Sequence, residues 1–228
     1  MSAPLRLVIF DVDGTLVDSQ ADILAAMAHA FAAVDAAMPP RAAVLGIVGL
    51  SLPQAMARLA PHLPEADHAG MIARYKAAYM GLRAANGVAA SSPLYPHVAD
   101  MLAEIHKWDA VLMGVATGKS ARGLAKLIDG HGLAHHFVTR QVADHHPSKP
   151  HPSMLRAALA ETGVAPRDAV MVGDTTYDME MARAAGIAAV GVSWGYHDVA
   201  ALTPLADAMI DDMRDLPAVL NGFAGRAR

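Results

Sequence analysis

The sequence predicts an α/β fold, a doubly wound parallel sheet interrupted by an inserted block of helices. Apolar segments of strand length alternate with helical segments through most of the 228 residues, and this alternation is typical of parallel sheets covered by helices on both faces. Residues 18–90 break the pattern, because they are rich in alanine and contain no good strand. Polar residues follow several strands, at the edge where open α/β sheets bind ligands.

The first predicted strand, residues 5–10, is an apolar run that ends in Asp11 and Asp13. Alternate residues of an extended chain point the same way, so both carboxylates can face one point at the end of the strand. Two carboxylates this close repel each other unless a cation or a shared proton compensates. The pair therefore predicts a site for a hard metal ion.

The helical block begins after Ser19, which with Asp22 resembles an N-terminal capping box. Apolar residues recur at helical spacing after it, and Pro39 and Pro40 end this first helix. Later prolines divide the rest of the block, and its longest helix is expected near residues 65–85.

Strands and helices alternate again after a linker rich in serine and proline at residues 91–96. The later strands are predicted at residues 110–116, 137–138, 169–172, 187–192 and 208–210. Helices are predicted at residues 97–107, 120–129, 152–162 and 177–185. These patterns divide the chain into an α/β core domain, residues 1–17 and 91–228, and a helical domain, residues 18–90.

Two of the later strands end in residues suited to an anion or a cation. Thr117 and Gly118 stand just before a helix, where backbone N–H groups favour an anion, although an ordinary helix cap explains them better when they are taken alone. Asp174 and Asp178 follow Gly173 and flank the start of a helix. Acids in a first helical turn commonly complement the helix dipole, so this signal alone supports capping and function about evenly.

Lys149 lies in a loop bracketed by Pro147 and Pro150. The residue before a proline is restricted to extended conformations, which would present this lysine rigidly. A single lysine is ordinarily solvated, but its place ahead of the acidic strand favours a functional role.

In this order, the motifs resemble those of the haloacid dehalogenase superfamily of phosphohydrolases. Four segments are similar to the four motifs of that family, and they are FDVDGTLVDS at 10–19, VATGK at 115–119, SKP at 148–150 and VGDTTYD at 172–178. The resemblance covers essentially the whole chain. It implies a Rossmann-like core, with residues 18–90 as a C1-type helical cap domain.

The resemblance also implies the chemistry of the acidic residues. Asp11 would be the nucleophile that forms an aspartyl-phosphate, and Asp13 would protonate the leaving alkoxide and then activate water. Mg²⁺ would be held by the carboxylates of Asp11 and Asp174 and by the backbone carbonyl of Asp13.

The remaining matched residues would bind the substrate or support those that do. Thr117, the N–H of Gly118 and Lys149 would stabilise charge on the transferred phosphoryl group. Asp178 would orient Lys149 or a metal-bound water from outside the coordination sphere. Ser51 lies in a cap loop similar to one that reaches the leaving group in phosphoglycolate phosphatase-like members, although a plain helix connection explains that loop as well.

The implied function is a Mg²⁺-dependent phosphatase for a small phosphorylated metabolite, with phosphoglycolate the first candidate. Asp13 favours phosphate esters, because the halide leaving group of a dehalogenase needs no proton. A phosphomutase of the β-phosphoglucomutase type would use the same two aspartates, and a non-catalytic binding module would keep the fold. Inorganic pyrophosphate and nucleoside monophosphates also remain open as substrates.

The composition of the chain limits the kinds of partner, cofactor and location that are expected. The net charge is −4 and no strongly basic run occurs, so nucleic acid is not expected. The absence of cysteine excludes disulfides and thiolate metal sites. No apolar run suits a signal peptide or a membrane span, and a cytoplasmic monomer or homodimer is expected. Solvated loops explain the clustered histidines better than a transition-metal site does, and these are His131, His135, His136, His145, His146 and His151.

Overall fold

A computed structural model describes residues 4–223, in which six parallel strands form one sheet. The strands are β1 (Arg6–Phe10), β2 (Val111–Thr117), β3 (Phe137–Val142), β4 (Ala169–Gly173), β5 (Ala188–Val192) and β6 (Ala208–Ile210). Their order across the sheet is β3-β2-β1-β4-β5-β6. The predicted doubly wound sheet is confirmed, and β3 continues beyond the predicted residue 138 to Val142.

Helices cover both faces of this sheet. They are α6 (Val98–Ile105), α7 (Ala121–Gly130), α8 (Ser153–Thr162), α9 (Thr176–Ala185), α10 (Val199–Leu202) and α11 (Leu216–Phe223). The first four match predicted helices, whereas α10 and α11 were not predicted. Helix α8 ends at Gly163 in the left-handed conformation, φ 69°, where a glycine is the ordinary terminator.

The position of β1 at the centre of the sheet explains why its sequence is continuously apolar. Leu7 and Ile9 pack with residues of α8 and α9 on one face of the sheet, and Val8 and Phe10 pack with α6 and α7 on the other. A strand covered on both faces has no solvent side, so every position is hydrophobic.

The chain between β1 and β2 forms only helices among the described residues. They are α1 (Gln20–Ala32), α2 (Arg41–Leu45), α3 (Leu52–Leu59), α4 (Glu65–Asn86) and α5 (Val88–Ser91), here called the helical segment. The segment encloses a hydrophobic cluster of its own, which includes Phe31, Val44, Met56 and Met71. Its treatment as a separate cap domain stays a prediction.

The predicted capping box at the start of α1 is wrong. Ser19 precedes the helix, but its side chain makes no hydrogen bond to the first turn. Its hydroxyl donates to the Asp13 carboxylate instead. A charged acceptor makes the stronger hydrogen bond, so the Ser19 hydroxyl binds the turn after β1, and the first N–H of the helix, that of Gln20, donates to Asp18 at 3.2 Å instead.

The strand order brings the predicted motifs to one edge. Strand β1 lies between β2 and β4, and the Asp11 N–H donates to the Val172 carbonyl at 2.9 Å as the two strands end. The chain leaves β1 for β2 on one side and reaches β4 on the other, which creates a crevice at the carboxyl ends of the strands. The motifs after β1, β2 and β4 therefore meet at this crevice.

Candidate active site

Three buried carboxylates gather where β1 and β4 end. Asp11, Asp174 and Asp178 each offer an oxygen, and these oxygens lie within 4.8 Å of one another. Asp11 and Asp174 are contributed by the strand ends, whereas Asp178 comes from the first turn of α9. The cluster differs from the predicted metal set, in which Asp13 rather than Asp178 accompanied Asp11 and Asp174.

The Asp174 carboxylate is held by the turn that follows β1. Gly14 has φ 89°, and a Cβ atom there would lie 2.1 Å from Asp174 Oδ2, so only glycine permits this approach. The Thr15 hydroxyl donates to Asp174 Oδ1 and the Tyr196 N–H to Oδ2, both at 2.9 Å. Sequence reasoning assigned no role to Thr15 or Tyr196.

Lys149 is the cation of this cluster. Its fully buried Nζ lies 2.8 Å from Asp11 Oδ1 and donates to Asp178 Oδ1 at 2.6 Å. The other oxygen of Asp178 accepts hydrogen bonds from the N–H and hydroxyl of Thr175, at 3.2 and 2.7 Å, in the capping box of α9. Asp178 thus both caps a helix and binds the lysine, so the two interpretations of this acid hold together.

Charge in the cluster is unbalanced. Burial raises the pKa of Asp11 to about 7, although Lys149 opposes the shift, and burial also raises the pKa of Asp174 well above its usual range. Burial by itself would lower the pKa of Lys149, but Asp11 and Asp178 outweigh it and raise that pKa. One ammonium group cannot neutralise three ionised carboxylates in a site that excludes water, so burial favours the protonated forms of Asp11 and Asp174.

The cluster fits a divalent cation. Asp11 Oδ2 is buried and has no hydrogen-bond partner among the described residues. Oxygen donors with excess negative charge are what Mg²⁺ and similar hard cations bind. A cation at this point would supply the charge that Lys149 alone leaves missing.

Asp13 faces a different set of partners. Lys119 Nζ lies 2.7 Å from Asp13 Oδ1 and also donates to the Tyr79 hydroxyl of α4 at 3.2 Å. The Ser19 hydroxyl contacts the same carboxylate, and the Tyr196 hydroxyl lies 3.3 Å from Ser19 Oγ. Lys119 lies within the segment VATGK that the sequence analysis singled out, but no role was predicted for it.

Thr117 and Gly118 complete the edge at the end of β2. Thr117 is buried, and its hydroxyl accepts a hydrogen bond from the Lys119 N–H at 3.2 Å. A Cβ atom on Gly118 would lie 2.7 Å from the Gly49 carbonyl, so the lack of a side chain lets the helical segment approach the strand end.

A cavity of about 410 Å³ lies between the strand ends and the helical segment. Asp11, Asp13, Thr117 and Gly118 line it, together with residues of α1, α3, α4 and the loop before α3. Ser51 is not among its lining residues; its N–H donates to the Ser148 hydroxyl at 2.8 Å. The structure therefore brings the predicted residues of the strand edge together, and Ser51 contacts Ser148, the neighbour of Lys149.

The histidines do not form a metal site within residues 4–223, where the acidic cluster is the one group with suitable ligand spacing. His131 contacts the Ser92 carbonyl, and His146 contacts Gln141 and Ser153. His136 is buried against two other imidazoles, so it does not fit the prediction of a solvated loop.

Comparisons with known proteins agree with this architecture. Residues 8–192 match the family model described as haloacid dehalogenase-like hydrolase. A probable phosphatase, IndB, of Dickeya dadantii is 36% identical over 197 residues, covering 84% of this chain and 82% of that protein. A phosphoglycolate phosphatase of Haemophilus influenzae is 30% identical over 230 residues, covering 96% of this chain and 100% of that protein.

Solved structures share the fold. A hydrolase from Pseudomonas syringae superposes with a TM-score of 0.84 at 22% identity, covering 97% of this chain and 100% of that one. A β-phosphoglucomutase from Clostridium difficile gives a TM-score of 0.81 at 16% identity, covering 97% and 100%. Among residues 4–223, no helix combines the length and apolar character that crossing a membrane requires.

Proposed function

The chain belongs to the haloacid dehalogenase-like hydrolases, and on that premise we propose that it is a Mg²⁺-dependent phosphatase that hydrolyses a small phosphomonoester through an aspartyl-phosphate. It is a phosphoric monoester hydrolase, as the names of its relatives indicate. The observation that carries the detailed proposal is Asp11, a buried carboxylate at the cavity with one oxygen lacking any partner among the described residues.

The acidic cluster is the proposed cation site. The carboxylates of Asp11 and Asp174 would hold Mg²⁺, with the backbone carbonyl of Asp13 as a further ligand. When bound, the cation would offset the repulsion between the carboxylates and an anionic phosphate. Asp178 accepts a hydrogen bond from Lys149 at 2.6 Å, and this contact supports a role for Asp178 in positioning the lysine.

Asp11 is the proposed nucleophile. Its carboxylate oxygen attacks phosphorus, the P–O bond to the leaving group breaks, and the phosphoryl group remains on Asp11 as an acyl phosphate. Covalent catalysis divides one difficult displacement into two easier ones. Lys149, 2.8 Å from Asp11, stabilises negative charge on the transferred group together with Thr117 and the Gly118 N–H.

Asp13 is the proposed acid and base. In its protonated form it gives its proton to the departing alkoxide, and as a carboxylate it then removes a proton from the water that attacks the phosphoryl group. Its position at the cavity, clear of the carboxylate cluster, supports this separate role. Residues 18–90, proposed as a cap domain, would exclude bulk water while the chemistry proceeds.

The test is phosphate release by the purified full chain. We expect it to hydrolyse p-nitrophenyl phosphate and at least one member of a phosphorylated-metabolite panel in Mg²⁺, and to lose this activity in excess chelator. Sugar phosphates in the panel are followed for isomerisation as well as for release. Isomerisation without release would favour a mutase, and turnover of neither kind would contradict the proposal.

A further inference from the structure

Positive charge predominates where α4 and α7 line the cavity. Lys76, Arg122 and Lys126 are exposed around its outer part, against a single carboxylate among the described residues there, Asp144. None of the three cations takes part in an ion pair of the described chain. The outer cavity therefore presents a positive surface to an entering ligand.

Arg83 of α4 is the buried member of this positively charged part of the cavity. Only 7% of its surface is exposed, and it lines the cavity. Its two terminal nitrogens donate to the Gly123 carbonyl at 3.1 Å and the Ser92 hydroxyl at 3.3 Å, and the guanidinium lies 5.1 Å from the centre of the Tyr79 ring. All three contacts are with uncharged groups.

The guanidinium of Arg83 lacks both a charged partner and a full set of acceptors. No ion pair within the described part of the chain includes it, and its Nε–H is buried with no hydrogen-bond partner. Buried charges in proteins are ordinarily paired, because an unpaired one loses its hydration without compensation. A ligand that brought an anion to Arg83 would supply the missing partner.

We propose that Arg83 determines specificity by binding a second anionic group, a carboxylate or a further phosphate, at the far end of the leaving group. The inference rests on the proposed phosphatase function, which places the scissile phosphate at Asp11. It adds that the substrate carries negative charge at both ends and an uncharged stretch between them. The walls beside that stretch are apolar or aromatic, and include Ile23, Met27, Tyr75 and Tyr79.

The contacts indicate how far along the leaving group this anion lies. Asp13 pairs with Lys119, Lys119 reaches the Tyr79 hydroxyl, and the Tyr79 ring lies against Arg83. Two side chains thus separate Arg83 from the proposed general acid. An anion close to the ester oxygen would meet Lys119, so the anion that binds Arg83 belongs on a longer leaving group than that of phosphoglycolate.

The experiment measures kcat/KM for two matched series of substrates. One series consists of straight-chain phosphate esters that end in a carboxylate, beginning with phosphoglycolate and increasing in length. The other has the same lengths but ends in a neutral hydroxyl. For the wild-type enzyme we expect the carboxylate to be preferred by about 10- to 100-fold, the range for one hydrogen-bonded charge pair, with the maximum at a chain longer than phosphoglycolate.

Variants then assign the preference to one residue. Arg83→Gln should remove the preference by lowering kcat/KM for the charged series while changing the neutral series less than about 3-fold, and Arg83→Lys should restore part of it. Arg74→Gln, on the exposed side of the same helix, is the matched control and should leave both series unchanged. A bisphosphate series tells which anion is preferred, and a preference for either supports the proposal.

Three outcomes would overturn it. They are equal kcat/KM for the two series in the wild type, a preference that is greatest for phosphoglycolate, and a preference that survives Arg83→Gln. The first two need no variant, so they hold even if Arg83→Gln fails to fold. Absence of phosphate release from every ester, including p-nitrophenyl phosphate, would instead contradict the proposed function itself.

Discussion

The two ends of the cavity are charged in opposite ways. At the acidic end, Asp11 lines the cavity and belongs to a cluster with Asp174, Asp178 and Lys149, in which three buried carboxylates share one lysine. At the basic end, the buried guanidinium of Arg83 contacts only neutral groups. Each end carries charge that the described protein does not neutralise, and each therefore indicates a ligand of the opposite sign. The difference suggests that a metal ion completes one end and the substrate's leaving group the other.

The largest expected effect is at the acidic end. Replacing Asp11 by asparagine removes the nucleophile, so we expect phosphate release from any ester to fall on the order of 10⁴-fold or more. The folded state should persist, because the amide keeps the size of the carboxylate and relieves repulsion. Steady-state kinetics and circular dichroism check the two parts. Asp129→Asn, an exposed acid on α7, is the control, and an active Asp11→Asn enzyme would refute the nucleophile.

Stability should distinguish the two cations. Lys149→Met removes the buried cationic partner of Asp11 and Asp178, and we expect a loss of about 3–5 kcal/mol in the free energy of unfolding. Arg83→Met leaves no carboxylate without a partner and breaks two hydrogen bonds to neutral groups, so we expect a loss of about 1–2 kcal/mol in the free energy of unfolding. Urea unfolding in chelator measures both. Equal losses would mean that the acidic end does not depend on its lysine.

Mg²⁺ should raise the free energy of unfolding, and this gain should depend on the acidic end and not on Arg83. Because a ligand that binds the folded state alone raises stability, Mg²⁺ at about 100 times its dissociation constant should add about 2.7 kcal/mol. Asp174→Asn should abolish most of this gain, whereas Arg83→Gln should keep it. Thermal unfolding with and without Mg²⁺, at matched ionic strength, is the measurement. A gain that Asp174→Asn leaves intact would place the cation elsewhere.

The last prediction concerns a residue outside the cavity and tests whether every unpaired buried group signals a ligand. Burial, with His135 and His106 nearby, lowers the pKa of His136 to about 4. Unfolded histidine takes up a proton near pH 6.5, so this residue should cost stability as the pH falls from about 6.5 to about 4 and cost none above that range.

We expect a loss of about 3 kcal/mol over that interval, because the pKa is lowered from 6.5 to about 4 and one pKa unit corresponds to about 1.4 kcal/mol. His136→Gln should flatten the dependence, and His62→Gln, at an exposed site, should not. Urea unfolding at several pH values measures the slope. An unchanged slope in His136→Gln would show that folding does not lower the pKa of this imidazole.

The acidic end was predictable from the sequence and the basic end was not. Asp11, Thr117, Lys149 and Asp174 each follow or precede a strand, and parallel strands carry such residues to one edge whatever the details of packing. Chain order was therefore enough to bring them together. Asp178 was ambiguous in the sequence because it caps α9 and also accepts a hydrogen bond from Lys149.

Residues whose roles depend on how the helical segment docks gave no such signal. Arg83 lies on a long helix between Leu82 and Ala84, and its burial follows from contacts with Gly123 and Ser92 that no periodicity reveals.

The prediction that Ser19 caps α1 was wrong for a related reason. A serine before a helix ordinarily caps it, but here its hydroxyl donates to the Asp13 carboxylate. The four-residue helix α10 was missed because it is too short for an amphipathic repeat, whereas α11 was missed although Leu216 and Leu220 are buried at helical spacing.

Trapping the phosphoenzyme tests the central claim most directly. In Asp13→Asn the base that activates water is absent, while p-nitrophenyl phosphate supplies a leaving group that needs no proton. The account predicts a burst of p-nitrophenol equal to the enzyme concentration, and a phosphoryl group on the peptide containing Asp11 by mass spectrometry. Continued turnover without any phosphorylated peptide, or a phosphoryl group on another residue, would contradict it.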